Sequence, residues 1–173
     1  EVIDLAAKES GLAVDFIRGQ EQQLTQSLLF SIVTNFNAAA SSAFSPNMLS
    51  LSDQVYLAEA KAIRDLADKG SCVIVGRCAD WVLEKNYNVL RVYVCADLDT
   101  RCKRAVEEYG DKAENIQKTV RDIDKQRARY CQHYCDQAWE DADNYDLCLN
   151  SGKLGVDHCA EVIRDTYQMM KAE

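Results

Sequence analysis

The sequence predicts an α/β fold in which parallel strands are joined by helical crossovers. Three observations carry that expectation. Short, apolar, β-branched runs recur at 72–76, 89–95 and 145–149, each about the length of a strand. Segments of helical period separate them. The order helices, strand, helix, strand, helices, strand, helix is the one that places parallel strands in a sheet with helices packed on it. No internal repeat or linker divides the chain, so residues 1–173 are expected to form a single domain.

The elements follow in order. Residues 1–9 read as a short amphipathic helix that stops at Gly11. Residues 13–33 carry Val14, Ile17, Leu24, Leu28 and Ile32 at roughly helical spacing, with a break near Gly19. The stretch 34–50 is rich in Ala, Ser and Asn, holds the lone proline, Pro46, and reads as a loop. A strong helix follows. Ser50 or Ser52 can cap it, Val55, Ala58, Ala62 and Leu66 line one face, and Gly70 ends it.

The continuous apolar run at 72–76 suits a strand buried on both faces. Gly76-Arg77 then turns into a helix bearing Trp81, Val82 and Leu83. A strand at 89–95, helices at 97–109 and 112–130, a strand at 145–149 and a closing helix at 155–170 complete the chain. Because the chain opens inside the apolar pattern Val2, Ile3, Leu5 and Ala6 and lacks an initiating Met, it is expected to be a fragment of a longer protein.

Composition excludes several classes. A net charge of −8 argues against a nucleic-acid partner, since phosphate backbones require a basic face. No apolar run approaches the roughly 20 residues of a membrane span. No secretory signal is visible, and the expected compartment is cytoplasmic. The eight cysteines include no C-x-x-C pair, and His133 and His158 are scattered, so no metal site is expected. Reduced, mostly buried thiols are the favoured reading.

Ligands of doubly wound sheets sit beyond the carboxyl ends of the strands. After 72–76 stand Gly76, Arg77, Cys78 and Asp80. Arg77 has the planar fork that suits phosphate, but equally could pair with Asp80 at a helix start. After 89–95 come Asp97, a candidate cap, and then Arg101 and Arg104. Ordinary surface pairs, Asp97 with Arg101 and Arg104 with Glu108, compete with a role in neutralising a transferring phosphoryl group. In the helix 112–130, Ile116, Val120 and Ile123 share a face whose centre also receives Arg127, with Asp124 on its edge. An arginine in an apolar stripe must snorkel, find a buried partner or face a polar cavity. With Arg121 and Arg129 nearby, a local basic cluster in an acidic protein points to a small anionic ligand. After 145–149, Asn150 and Ser151 either contact a base or ribose or form a plain turn.

Three segments together resemble the cytidylate kinase-like family. Val73-Ile74-Val75-Gly76-Arg77-Cys78-Ala79-Asp80 is similar to its GRCAD segment. Ile123-Asp124-Lys125-Gln126-Arg127-Ala128-Arg129-Tyr130 is similar to its IDKxRAxYY segment, and Asn144-Tyr145-Asp146-Leu147-Cys148-Leu149-Asn150-Ser151 to its final strand. The resemblance spans about residues 1 to 167. It implies a three-layer P-loop NTPase-type sheet of order 2-3-1-4-5 flanked by helices, with ATP and Mg²⁺ used to phosphorylate CMP or dCMP. It implies that Arg77, Asp80 and Arg127 hold the acceptor, that Asp124 contacts the cytidine moiety, and that Arg101 and Arg104 act in catalysis from a lid at 97–140. Asn150 and Ser151 would lie on the ATP side, and residues 12–50 would form a monophosphate-binding insert. The expected partners are small nucleotides, with a homo-oligomer as a further expectation.

The sequence departs from that pattern twice. No G-x-x-x-x-G-K-[ST] run occurs, and the resemblance puts the Gly-rich loop and first strand upstream of the position matching Glu1. Cys78 stands where ordinary cytidylate kinases carry an aspartate, which leaves the acceptor base open. A non-catalytic nucleotide-binding relative and a structural domain completed by another chain are the alternative readings.

Overall fold

A computed structural model describes residues 2–10, 50–85 and 87–171. The expected insert at 12–50 lies outside these residues but for its last position. The chain divides into two compact units, residues 1–87 and 88–173, each with its own packing.

The first unit is helical among the described residues. Helix α1 (Val2–Ser10) packs on α2 (Leu51–Ala67), which packs on the short α3 (Ala79–Leu83). As the sequence predicts, Ser50 starts α2: its hydroxyl accepts the Asp53 N–H at 3.1 Å, satisfying one of the open donors at a helix start. Val55, Ala58, Ala62 and Ile63 are buried along α2, and Leu66 is half-buried. Small alanines let neighbouring helices approach closely. Ile63, fully buried, is the main apolar anchor and contributes about 1.5–3 kcal/mol.

The expected strand at 72–76 does not form. Residues 72–75 adopt no regular secondary structure, and Val73 and Val75 are 92% and 88% exposed instead of buried. The reason is pairing. A β-branched run becomes a strand only beside another strand that takes up its N–H and C=O groups, and among the described residues this segment has none.

The second unit holds the sheet. Strands β1 (Val92–Cys95) and β2 (Leu147–Asn150) pair in parallel, with Val92 opposite Leu147 and Cys95 opposite Asn150. Their adjacency agrees with the last two places of the expected order; it is the only adjacency seen among the described residues. Both strands are shorter or later than the apolar runs suggest. Arg91 and Asp146 mark the start of the ladder: the Arg91 carbonyl accepts the N–H groups of Asp146 and Leu147 at 2.9 and 3.1 Å. The two side chains also meet as a fork, with Arg91 Nη2 2.9 Å from Asp146 Oδ1 and Nε 3.2 Å from Oδ2.

Helix α4 (Leu98–Glu107) follows β1, and α5 (Ile116–Cys135) packs against it. Helix α5 begins four residues later than expected and runs five further, to the left-handed Asp136. A 3-10 turn (Ala142–Asn144) leads into β2. The expected closing helix is two helices, α6 (Ser151–Leu154) and α7 (Val156–Lys171), separated by Gly155 at φ +81°. Helix α6 packs against both strands. Cys78, Cys102, Cys135 and Cys159 are buried, but Cys72 and Cys148 are exposed, so thiol burial is less complete than expected. Among the described residues no helix is long and apolar enough to cross a membrane.

Candidate functional site

The carboxyl ends of β1 and β2 lie side by side and open onto two loops. Directly after β1, Asp97 caps α4. Its carboxylate accepts the Thr100 N–H at 2.9 Å and the Thr100 hydroxyl at 2.8 Å. The Thr100 N–H, then its hydroxyl, holds the Asp97 carboxyl below its ordinary pKa. Directly after β2, Asn150 caps α6 by accepting the N–H groups of Gly152 and Lys153 at 3.0 and 3.2 Å.

The two loops meet at Gly152. A Cβ there would fall 3.2 Å from both Asn150 Oδ1 and Asp97 Oδ2, and 3.3 Å from Ala96 Cβ. Any larger residue would require these neighbours to give by a few tenths of an ångström.

Helix α4 projects two arginines from this edge. Arg104 Nη1 donates to Ser151 Oγ at 3.3 Å, and that hydroxyl, 5% exposed, donates to the Cys95 carbonyl at 3.1 Å. Ser151 therefore ties Arg104 to the end of β1. Glu108, the expected surface partner of Arg104, is more distant at 3.7 Å. Arg101 does not pair with Asp97. Its Nη1 lies 2.8 Å from each carboxylate oxygen of Asp124 on α5, while its Nε is buried with no hydrogen-bond partner.

That pairing changes which face of α5 is covered. Asp124 is half-buried, Ile123 is exposed, and Arg127 is exposed rather than central to an apolar stripe. The Arg127 guanidinium instead stands 5.9 Å from the Trp139 ring centroid, within cation–π range. Trp139 belongs to an aromatic cluster that the sequence reading missed. Tyr93 meets Trp139 edge-on at 5.7 Å and the tilted Tyr145 ring at 5.0 Å, and the Tyr145 hydroxyl donates to the Trp139 carbonyl at 2.7 Å. Burial raises the Tyr93 pKa. The sequence signal was the alternation of β1, which aims Tyr93 and Cys95 to the same side.

In the first unit, Arg77 follows Gly76 in a turn where three consecutive residues have positive φ: +72° at Gly76, +60° at Arg77 and +51° at Cys78. Positive φ at two consecutive non-glycine residues is costly and persists only where surroundings enforce it. Here Arg77 Nη1 lies 2.6 Å from Glu59 Oε1 of α2, with side-chain exposures of 8% and 1%. The partner is Glu59, not Asp80, the alternative partner the sequence offered, which sits half-buried in the first turn of α3. Glu59 was missed as well. Its signal was a carboxylate one turn from Val55 and from Ile63, on the stripe that α2 buries.

So the structure gathers Arg101, Arg104, Asp124, Asn150 and Ser151 around the edge of the β1–β2 pair, with Arg127 on the same helix as Asp124. Arg77 lies in the other unit. Guanidinium groups beyond the carboxyl end of a parallel sheet are suited to phosphate oxygens. The sequence profile of the cytidylate kinase-like family matches residues 1–153.

The chain belongs to the cytidylate kinase-like family. It is 30% identical over 95 residues to a cytidylate kinase of Methanococcus vannielii, a match covering 53% of this chain and 54% of that one. The match thus spans about half the length of that relative. Among solved structures, the chain resembles an uncharacterized protein from Eubacterium ventriosum, with a TM-score of 0.61 and 32% identity over 67% of this chain and 73% of that chain.

Proposed function

We propose that this protein is a nucleoside monophosphate kinase that transfers the γ-phosphoryl group of ATP to CMP or dCMP. One observation supports this above the others: two arginines of α4 stand beyond the carboxyl end of a parallel strand pair, in a chain of the cytidylate kinase-like family. Phosphoryl transfer asks a protein mainly to position reactants and neutralise charge, and positioned guanidinium groups do both.

In this reading Arg101 and Arg104 stabilise charge on the transferring group, and Arg127, on the same helix as Asp124, holds the acceptor phosphate. Asn150 and Ser151 line the ATP side through the β2–α6 corner, where Ser151 also fixes Arg104. The donor set fits a polyphosphate, although no G-x-x-x-x-G-K-[ST] run occurs in the 173 residues. When bound with ATP, Mg²⁺ would offset the charge of the phosphates.

A coupled ADP-release assay with CMP, dCMP, UMP and AMP tests the proposal. CMP and dCMP are expected to be the preferred acceptors, and Arg104→Ala to slow transfer on the order of 10²-fold. ADP release at equal rates with and without acceptor would defeat the kinase reading.

A second reading has one observation in its favour. Val73 and Val75 are 92% and 88% exposed in a β-branched run without regular structure, as expected of a segment that awaits a partner from another chain. A structural domain of that kind would show no transfer with any acceptor.

A further inference from the structure

Helix α4 places Arg101 and Arg104 three residues apart, so both project from neighbouring positions on one helical face. Each is held from a different element. Ser151 at the β2–α6 corner holds Arg104, and Asp124 on α5 holds Arg101. The manner of the second contact is informative. A purely structural arginine–carboxylate pair usually forms a fork, with two nitrogens donating to two oxygens. Here one terminal nitrogen, Nη1, takes both Asp124 oxygens at 2.8 Å. The other terminal nitrogen makes no hydrogen bond among the described residues, and 32% of the Arg101 side chain remains exposed. The guanidinium is thus gripped at one corner and left open along another.

Asp124 is correspondingly committed. Its side chain is only 16% exposed, and both oxygens face Arg101. A carboxylate that read a nucleobase would need an oxygen turned toward that base.

We infer that Asp124 is a positioning residue for Arg101: it fixes the guanidinium that neutralises the transferring phosphoryl group and does not select the base. The inference rests on the phosphotransferase reading above. Its chemistry is the holding of a cation in place before the reaction, which spares reorganisation when charge develops. Base selectivity then lies with other residues, and the side chain of Asp124 acts through Arg101 alone.

The test is steady-state kinetics of the full-length protein with ATP and, in turn, CMP and UMP, for wild type, Asp124→Asn, Asp124→Glu, Arg101→Ala and the Asp124→Asn/Arg101→Ala pair. The expected result has three parts. Asp124→Asn lowers kcat about 10–100-fold while the CMP-to-UMP ratio of kcat/KM stays within about twofold of wild type. Asp124→Glu, which restores the charge, recovers a substantial part of kcat. The double variant is no slower than Arg101→Ala alone, because the aspartate has nothing left to position.

Three results overturn the inference while leaving the kinase reading intact: a collapsed CMP-to-UMP ratio at near-normal kcat, lower thermal stability with unchanged kinetics, or losses that multiply in the double variant. If Asp124→Asn does not fold, Asp124→Glu decides: a kcat between those of wild type and Arg101→Ala at a constant ratio supports the inference, and a shifted ratio or a kcat as low as that of Arg101→Ala overturns it. Failure of the kinase reading shows in the wild type itself, as no transfer to either acceptor, and removes both.

Discussion

Arg77 on the turn before α3 and Glu59 on α2 form a buried ion pair at 2.6 Å, the most enclosed charge contact among the described ion pairs. Arg77 itself has φ +60°. The desolvation of both groups is offset only while both are present. Glu59→Ala should therefore cost about 3–5 kcal/mol, as is typical when one partner of a buried pair is removed. Replacing both residues with Met should cost much less. Urea denaturation of the two variants checks this; equal losses would show that the pair is not coupled.

Arg127 offers the opposite case. It is exposed, and its described contact is with the Trp139 ring, at 5.9 Å. Arg127→Ala should lower stability by no more than about 1 kcal/mol. On the proposed function, in which Arg127 holds the acceptor phosphate, it should nevertheless abolish turnover. Thermal melting beside an ADP-release assay separates the two effects. Severe unfolding would make Arg127 a structural residue instead.

Gly152 tests how closely the two strand-end loops must meet. A Cβ at this position would lie 3.2 Å from the Asn150 oxygen that caps α6. That oxygen cannot retreat without surrendering the cap. Gly152→Ala is expected to destabilise the protein by about 1–3 kcal/mol, the usual range for overpacking. Chemical denaturation would measure it, and an unchanged midpoint would mean that the loops have room to part.

The Arg91–Asp146 fork predicts a pH dependence. Hydrogen bonds from the Arg91 side chain hold the Asp146 carboxyl below its ordinary pKa, partly opposed by burial. The unfolded chain titrates near the ordinary value of about 3.9. A carboxyl with a lowered folded pKa contributes stability above the unfolded value and loses it as pH falls through the folded value. Wild type should therefore exceed Asp146→Asn in stability by a constant margin near neutral pH, and the margin should shrink below about pH 4. Urea midpoints for both proteins across that range measure it. A margin that grew on acidification would contradict the assignment.

Local chemistry was legible in the sequence wherever a single residue determines the backbone. Ser50 and Asp97 cap the helices they were expected to cap, because a short polar side chain needs only the next turn to complete the bond. The strand character of β1 and β2 was legible for a related reason, since each finds the other and pairs. The run at 72–76 has equal strand character and forms no strand, because pairing is a property of two segments. The candidate site shows the same division. That Arg101, Arg104, Asp124 and Arg127 belong to one unit could be expected from their placement after β1. Their partners could not. Asp124 on α5, Ser151 after β2 and Glu59 on α2 lie 23, 47 and 18 residues from the arginines they bind, and helical periodicity alone ranked Arg127 above Asp124 on the buried side.

The most direct measurement follows phosphorus itself. Full-length protein, ATP, Mg²⁺ and CMP are mixed, and the ³¹P spectrum is recorded over time. The proposed function predicts stoichiometric loss of ATP and CMP with the appearance of ADP and CDP, and marked slowing in Arg101→Ala and Arg104→Ala. A spectrum in which CMP persists unchanged, or in which ATP yields only ADP and inorganic phosphate, would contradict the account.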